Sequence, residues 1–245
     1  MITNTYSALW FKLFLPLQEE WTQQEVAFLT RQLPLPRYRH ILDLACGAGR
    51  HSLALAQRAY QVTGLDRDQA ALTLARQQAR EAGQDITYVV GDMRQLDELS
   101  GVFDAVISMW QSFCYFDEVT NVALLHSVAQ KLTPGGRFVV DLYNRDYFEQ
   151  RQGETEQQIA GVIVKSQGYL QGNRWHSVLS YSSREQGELG GDHMEWQIFT
   201  PDEFSMLART CGLLPVLACT WGNEQIAPSP ETGRMQLVLE KEGES

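Results

Sequence analysis

From His40 to Leu142 short apolar runs of strand length alternate with amphipathic segments of helix length, and the first run opens into a glycine-rich turn. This alternation leaves few architectures open. Strands separated by helices are joined by crossovers, and crossovers produce a parallel sheet covered on both faces. Strands are predicted over His40–Ala45, Gln61–Leu65, Ile86–Val90, Phe103–Met109 and Arg137–Leu142. Helices are predicted over Ser52–Arg58, Asp68–Ala82 and Asp117–Lys131, with Pro134-Gly135-Gly136 as a turn before the fifth strand. The expected fold is α/β, a doubly wound, mostly parallel, seven-stranded sheet with a small antiparallel β insertion.

The insertion is expected because the rhythm changes after Asn144. Residues Ile159–Leu170, Arg174–Ser183 and Met194–Phe199 read as three strands with no helix between them, and Gly172-Asn173 and Gly187 through Gly191 as turns. Helical sequence resumes at Thr200-Pro201-Asp202-Glu203, where a threonine N-cap, a proline at the first helical position and a glutamate three residues after the cap coincide. Strands at Leu214–Thr220 and Met235–Glu240 then complete the sheet. Upstream, Thr3–Leu17 and Gln18–Gln32 read as two helices, the first rich in aromatic residues, with Pro34 and Pro36 ending the second. One domain is expected over residues 1–245, with 1–35 as a helical lid and 145–199 as the insertion.

Composition narrows the partners. The formal net charge is −10 and the basic residues are scattered, which disfavours nucleic acid. The four cysteines form no C-x-x-C pair and no Cys/His cluster has zinc spacing, so free thiols, a cytoplasmic location and no metal are expected. Leu9–Leu17 is too short to span a bilayer and lacks a basic start or cleavage site, so neither membrane insertion nor secretion is expected. Lys241–Ser245 reads as a disordered tail.

Three features fall at the ends of successive strands, where an open α/β sheet holds its ligands. In Asp43-Leu44-Ala45-Cys46-Gly47-Ala48-Gly49-Arg50 the two glycines let the backbone turn sharply and approach a ligand. Asp66, at the end of the second strand, can accept from both hydroxyls of a ribose. Asp92-Met93, at the end of the third, can pair a carboxylate with an exocyclic amine and a backbone N–H with a ring nitrogen. Taken singly, each is also an ordinary turn or helix cap.

Together these residues resemble the first three motifs of the class I S-adenosylmethionine-dependent methyltransferases. Phe103-Asp104-Ala105-Val106-Ile107-Ser108 and Leu132-Thr133-Pro134-Gly135-Gly136 are similar to the next two. The resemblance covers residues 40–142 and extends to 200–240 in topology. It implies a Rossmann-like methyltransferase fold and S-adenosylmethionine as cofactor. Asp43, Ala45, Gly47 and Gly49 would lie around the methionine part, Asp66 at the ribose, Asp92 and Met93 at the adenine, with Arg67 and Met109 completing the set of cofactor contacts. The acidic Asp43 before the glycines belongs to that family, and position 52 is serine where a dinucleotide fingerprint has its third glycine. An NAD(P)-dependent oxidoreductase and a non-catalytic S-adenosylmethionine-binding protein are the alternatives.

The acceptor is expected to be a small soluble molecule, because the Asn/Asp-Pro-Pro-Tyr signature of nucleobase methyltransferases is absent after the fourth strand. Its pocket is expected among Tyr6, Trp10, Tyr115, Asn144 and Trp196. No catalytic residue identifies itself; His176 and His193 are weak candidates for a base. The acceptor atom and the oligomeric state stay open.

Overall fold

The structure is a computed structural model that describes residues 4, 6–19 and 21–243. The expected helix start at Thr3 and the last residues of the expected tail, Glu244 and Ser245, lie outside the described residues.

Two helices, α1 (Ala8–Glu19) and α2 (Thr22–Gln32), precede the first strand. The winding then runs β1 (His40–Leu44), α3 (Arg50–Ala56), β2 (Gln61–Asp66), α4 (Gln69–Glu81), β3 (Thr87–Val90), β4 (Phe103–Ser108), α5 (Glu118–Lys131) and β5 (Leu132–Tyr143). A short helix, α6 (Arg145–Glu149), leads into four antiparallel strands: β6 (Gly153–Ile159), β7 (Val162–Gln171), β8 (Arg174–Ser183) and β9 (Gly187–Gln197). Helix α7 (Pro201–Thr210) and strands β10 (Leu213–Cys219) and β11 (Arg234–Lys241) return to the main sheet.

The main sheet has seven strands in the order β10-β11-β5-β4-β1-β2-β3. Pairings among β1 to β5 are parallel, whereas β11 runs antiparallel to both neighbours. The chain order reverses between β1 and β4, the switch point at which α/β sheets open a crevice. Both faces are dry. One buries Leu42, Val106, Phe138 and Leu237 with Leu124, Leu125 and Phe204 from α5 and α7. The other buries Ile41, Ile107, Val139 and Val238 with Val26, Phe28 and Leu29 of α2 and Leu55 of α3. Alternate residues of a strand face opposite layers, which is why these strands read as continuous apolar runs.

The start of α7 is the predicted capping box, with the Thr200 hydroxyl accepting from Glu203 N–H and the Glu203 carboxylate accepting from Thr200 N–H. The insertion departs from expectation in number: it has four strands, not three. The missed one, β6, is Gly-Glu-Thr-Glu-Gln-Gln-Ile, a polar and exposed edge strand with no apolar alternation to mark it. Gly187 through Gly191 is also not simply a turn. It opens β9, where a Cβ on Gly191 would come within 2.4 Å of the Leu179 carbonyl oxygen. The insertion buries one face, with Trp175, Leu179, Tyr181, Met194 and Trp196 packed against Leu13 of α1. Asp192 ties the two together, accepting from Ser7 N–H at 2.7 Å, Ser7 Oγ at 2.8 Å and Tyr181 O–H at 2.6 Å. The N-terminal helix is thus part of the insertion's core.

Candidate active site

The glycine-rich turn after β1 is built from left-handed backbone: Ala45, Gly47 and Gly49 have φ of 61°, 54° and 78°. Glycine adopts this conformation freely; alanine does so at a cost, which singles the loop out. A Cβ on Gly47 would meet nothing within 4 Å, so the loop borders open space. Gly49 is the reverse, since a Cβ there would lie 2.4 Å from Tyr88 Oη. One glycine exposes the backbone and the other allows α3 to start against α4 and β3.

Asp43 lies beneath the turn, 2% exposed, and accepts a 2.6 Å hydrogen bond from Ser52 Oγ. Ser52, the residue that departs from the dinucleotide fingerprint, therefore solvates this buried carboxylate. Burial pushes Asp43 upward in pKa, against the pull of His51 and Ser52. Asp66 closes the other side of the turn, where its carboxylate accepts from Gly47 N–H and Asp68 N–H, both at 2.8 Å. Each oxygen has a further lone pair, so both can also receive the two hydroxyls of a ribose. Asp92 caps the 3-10 turn Met93–Glu98 by accepting from Arg94 N–H and forms an ion pair with the Arg94 guanidinium, which holds its carboxyl below the ordinary range. The capping and the adenine roles draw on the same carboxylate. Arg67 is exposed, and its charge reaches both Asp92 and Tyr115.

Met109 ends the apolar run of β4 and is buried on the α2 face. Trp110 and Gln111, next in sequence, both have left-handed φ, 57° and 63°, although neither is glycine. Such backbone persists only where its surroundings fix it. Here Asp141 of β5 accepts from Trp110 N–H through its carboxylate at 2.9 Å and from Gln111 N–H through its carbonyl at 3.2 Å. The Arg234 guanidinium, ion-paired with Asp141, lies over the Trp110 ring at 3.9 Å.

Glu25 of α2 supplies the remaining hold, and no motif or spacing marks it in the sequence. Its carboxylate accepts from Trp110 Nε1 and from Arg50 at 2.8 Å, and pairs with His51 Nε2 at 2.8 Å. One side chain thus joins the start of α3 to the loop after β4. Burial raises the Glu25 pKa, but His51 and Arg50 outweigh it and keep the group below its ordinary 4.5.

The predicted acceptor residues fare unequally. Tyr6, Trp10, Tyr115 and Trp196 come together from three distant segments. Tyr6 and Tyr115 share a 2.8 Å hydrogen bond, and the Tyr6 ring meets that of Trp10 edge-on at 4.7 Å. Trp196 packs 6.3 Å from Tyr115 and 5.1 Å from Tyr143. Burial raises the pKa of Tyr6, Tyr115 and Tyr143, which keeps these phenols protonated. Asn144 is fully buried and holds scaffold instead. Its amide donates to the Ser229 and Thr232 carbonyls, and its oxygen accepts from Asp146 N–H to cap α6. His176 stacks with Tyr169 and with His193 on the opposite face of the insertion sheet from Trp175 and Trp196.

Residues 41–136 match the family model described as a methyltransferase domain. A Bacillus subtilis protein named as a methyltransferase, YqeM, is 35% identical over 111 residues, which is 45% of this chain and 44% of that protein. The chain spans about half the length of the curated relatives it matches. Among solved structures, an S-adenosylmethionine-dependent methyltransferase from Clostridium acetobutylicum superposes with a TM-score of 0.77 at 17% identity, covering 92% of each chain. The S-adenosylmethionine-bound amino pentose methyltransferase CalS10 from Micromonospora echinaspora gives 0.70 at 22%, covering 98% of this chain and 99% of its own.

Proposed function

We propose, for a chain whose residues 41–136 match a methyltransferase domain and whose fold is that of an S-adenosylmethionine-dependent methyltransferase, that it transfers a methyl group from S-adenosylmethionine to a small soluble acceptor. The carrying observation is the crevice at the ends of β1 to β3. There the open backbone of Gly47 stands beside Asp66, whose two oxygens each retain accepting capacity. Asp43, Ala45, Gly47 and Gly49 would surround the methionine part, Asp66 and Arg67 the ribose, and Asp92 and Met93 the adenine, with Met109 at the β4 side. When bound, the cofactor supplies an electrophilic methyl on a sulfonium. What remains for the protein is alignment of a nucleophile and exclusion of water.

The acceptor pocket in this reading lies beneath Tyr6, Trp10, Tyr115 and Trp196. Their protonated phenols serve as hydrogen-bond donors, not bases. Gln111 Oε1, buried with no hydrogen-bond partner among the described residues, is an acceptor that a substrate donor can satisfy. Residues 6–19 and 145–199 act as the roof of one functional unit, whereas α2, expected to belong to the lid, covers the sheet face with Val26, Phe28 and Leu29. A metabolite is favoured over nucleic acid by the net charge of −10, and a cytoplasmic location by four free thiols. No helix among the described residues is long and apolar enough to cross a membrane. Incubation with S-adenosylmethionine and a metabolite library, following S-adenosylhomocysteine release, tests the reading. Release that depends on one acceptor class supports it, and no release in the presence of bound cofactor contradicts it.

A further inference from the structure

A cavity of about 120 Å³ lies under α2, on the face of the sheet that carries Met109 and Trp110. Phe28 forms part of its wall. Trp21 and Trp221 line it at the surface, their rings 5.7 Å apart and tilted by 31°, and they remain 39% and 46% exposed. It shares Met109, and no other residue, with the expected cofactor contacts. We propose that this cavity is a subsite for a neutral aromatic ring of the methyl acceptor. The proposal rests on the methyltransferase reading, because only there does the segment after β4 adjoin the transferred methyl.

Charge decides the class of guest. Four charged groups meet at or beside the cavity and cancel in pairs, Glu25 with Arg50 and Asp141 with Arg234. Both guanidiniums already lie over the Trp110 ring, at 5.2 and 3.9 Å. A cationic guest would meet two arginines and an indole whose π-system is already engaged. An anionic guest would meet Glu25, and the one cation in the lining, Arg234, is already paired with Asp141. Either would bury a charge without a counter-ion. A neutral ring has no such cost and gains stacking area on indole faces.

Backbone geometry supplies a second observation. Trp110 and Trp221 both adopt left-handed φ, 57° and 56°, which bulky residues seldom do. Two strained tryptophans lining one cavity, one of them largely exposed, form an arrangement that packing alone does not require.

The test uses three probes of one shape at neutral pH: 2-naphthol, 2-naphthoate and 2-naphthylmethylammonium. Each is titrated calorimetrically into the whole protein and into Trp221→Ala, alongside S-adenosylhomocysteine. Trp221 is exposed enough that the variant should fold. We expect 2-naphthol to bind at least tenfold tighter than either charged probe, and Trp221→Ala to weaken it at least fivefold while the S-adenosylhomocysteine affinity holds. Equal binding of a charged probe, or 2-naphthol affinity unaltered by Trp221→Ala, overturns the proposal. Absence of S-adenosylhomocysteine binding to the natural protein would instead overturn the methyltransferase reading, leaving the naphthol comparison to decide the cavity.

Discussion

The ends of β1 to β3 and the ends of β4 and β5 are two halves of one crevice, assembled differently. In the first half the defining contacts are short in sequence. Ser52 reaches Asp43 across nine positions and Gly47 reaches Asp66 across nineteen. In the second half they are long: Tyr6 to Tyr115 spans 109 positions, Trp110 to Glu25 85 and Ser7 to Asp192 185. The first half is a property of strand-to-helix turns that any chain with this motif must make. The second half exists only once α1, α2 and the insertion have docked. On the proposed function, cofactor binding belongs to the local half and the choice of acceptor to the assembled one.

If that division holds, damage to the local half should cost most. In Gly49→Ala the new Cβ would collide with Tyr88 Oη at 2.4 Å in a left-handed backbone. We expect a stability loss of roughly 2–4 kcal/mol from overpacking and strain. Thermal melting should show it, with loss of S-adenosylhomocysteine binding at the same time. A variant with unchanged melting and affinity would break the comparison at its firmest point.

Asp66→Ala comes next. On the proposed ribose role it removes one charged acceptor, a loss of about 1.5–3 kcal/mol, so the dissociation constant should rise about ten- to a hundredfold. It also frees Gly47 N–H, which should loosen the turn while the fold survives. An unchanged constant would reduce Asp66 to a loop carboxylate.

Glu25→Gln probes the seam between the halves. Loss of a charge paired with Arg50 and His51 should cost about 1–3 kcal/mol at neutral pH. Because the folded pKa of Glu25 lies below 4.5, its stabilisation is fully present above that pH and disappears as pH falls through the depressed value. The difference between natural protein and variant should therefore shrink in acid below pH 4.5, as read from denaturant unfolding. A difference that persists unchanged into acid would show that the carboxylate's charge is not what joins α2 to the loop.

Tyr6→Phe should have the smallest effect. It removes one hydroxyl pair, worth about 0.5–1.5 kcal/mol, and should leave S-adenosylhomocysteine affinity as it was. With an acceptor in hand, KM should rise more than kcat falls. A weakened cofactor affinity would mean that the aromatic roof belongs to the cofactor half.

The same contrast explains what the sequence could show. Alternating strands and helices made the main sheet legible, and Asp43, Gly47, Gly49, Asp66 and Asp92 stood out because each lies at a strand end with a known spacing. The aromatic roof was visible only as residue types; Tyr6, Trp10, Tyr115 and Trp196 come together through tertiary packing. Asn144 was misleading because an Asn at a strand end serves equally as a helix cap, and here it caps α6. Glu25 was hidden among the polar positions of an amphipathic helix, where a surface carboxylate is the ordinary expectation. Asp141 left a usable signal, a lone charge inside the buried run Phe138–Leu142. Nothing in the sequence marks Trp110 and Gln111 as left-handed, since no residue type there favours it.

Whether the ends of β1 to β3 hold S-adenosylmethionine is read directly by calorimetric titration of the natural protein with S-adenosylhomocysteine and, separately, with NAD. Saturable binding of S-adenosylhomocysteine with a micromolar dissociation constant is expected, and no heat from NAD; together they are what this site requires. Binding of NAD with no response to S-adenosylhomocysteine would contradict the assignment.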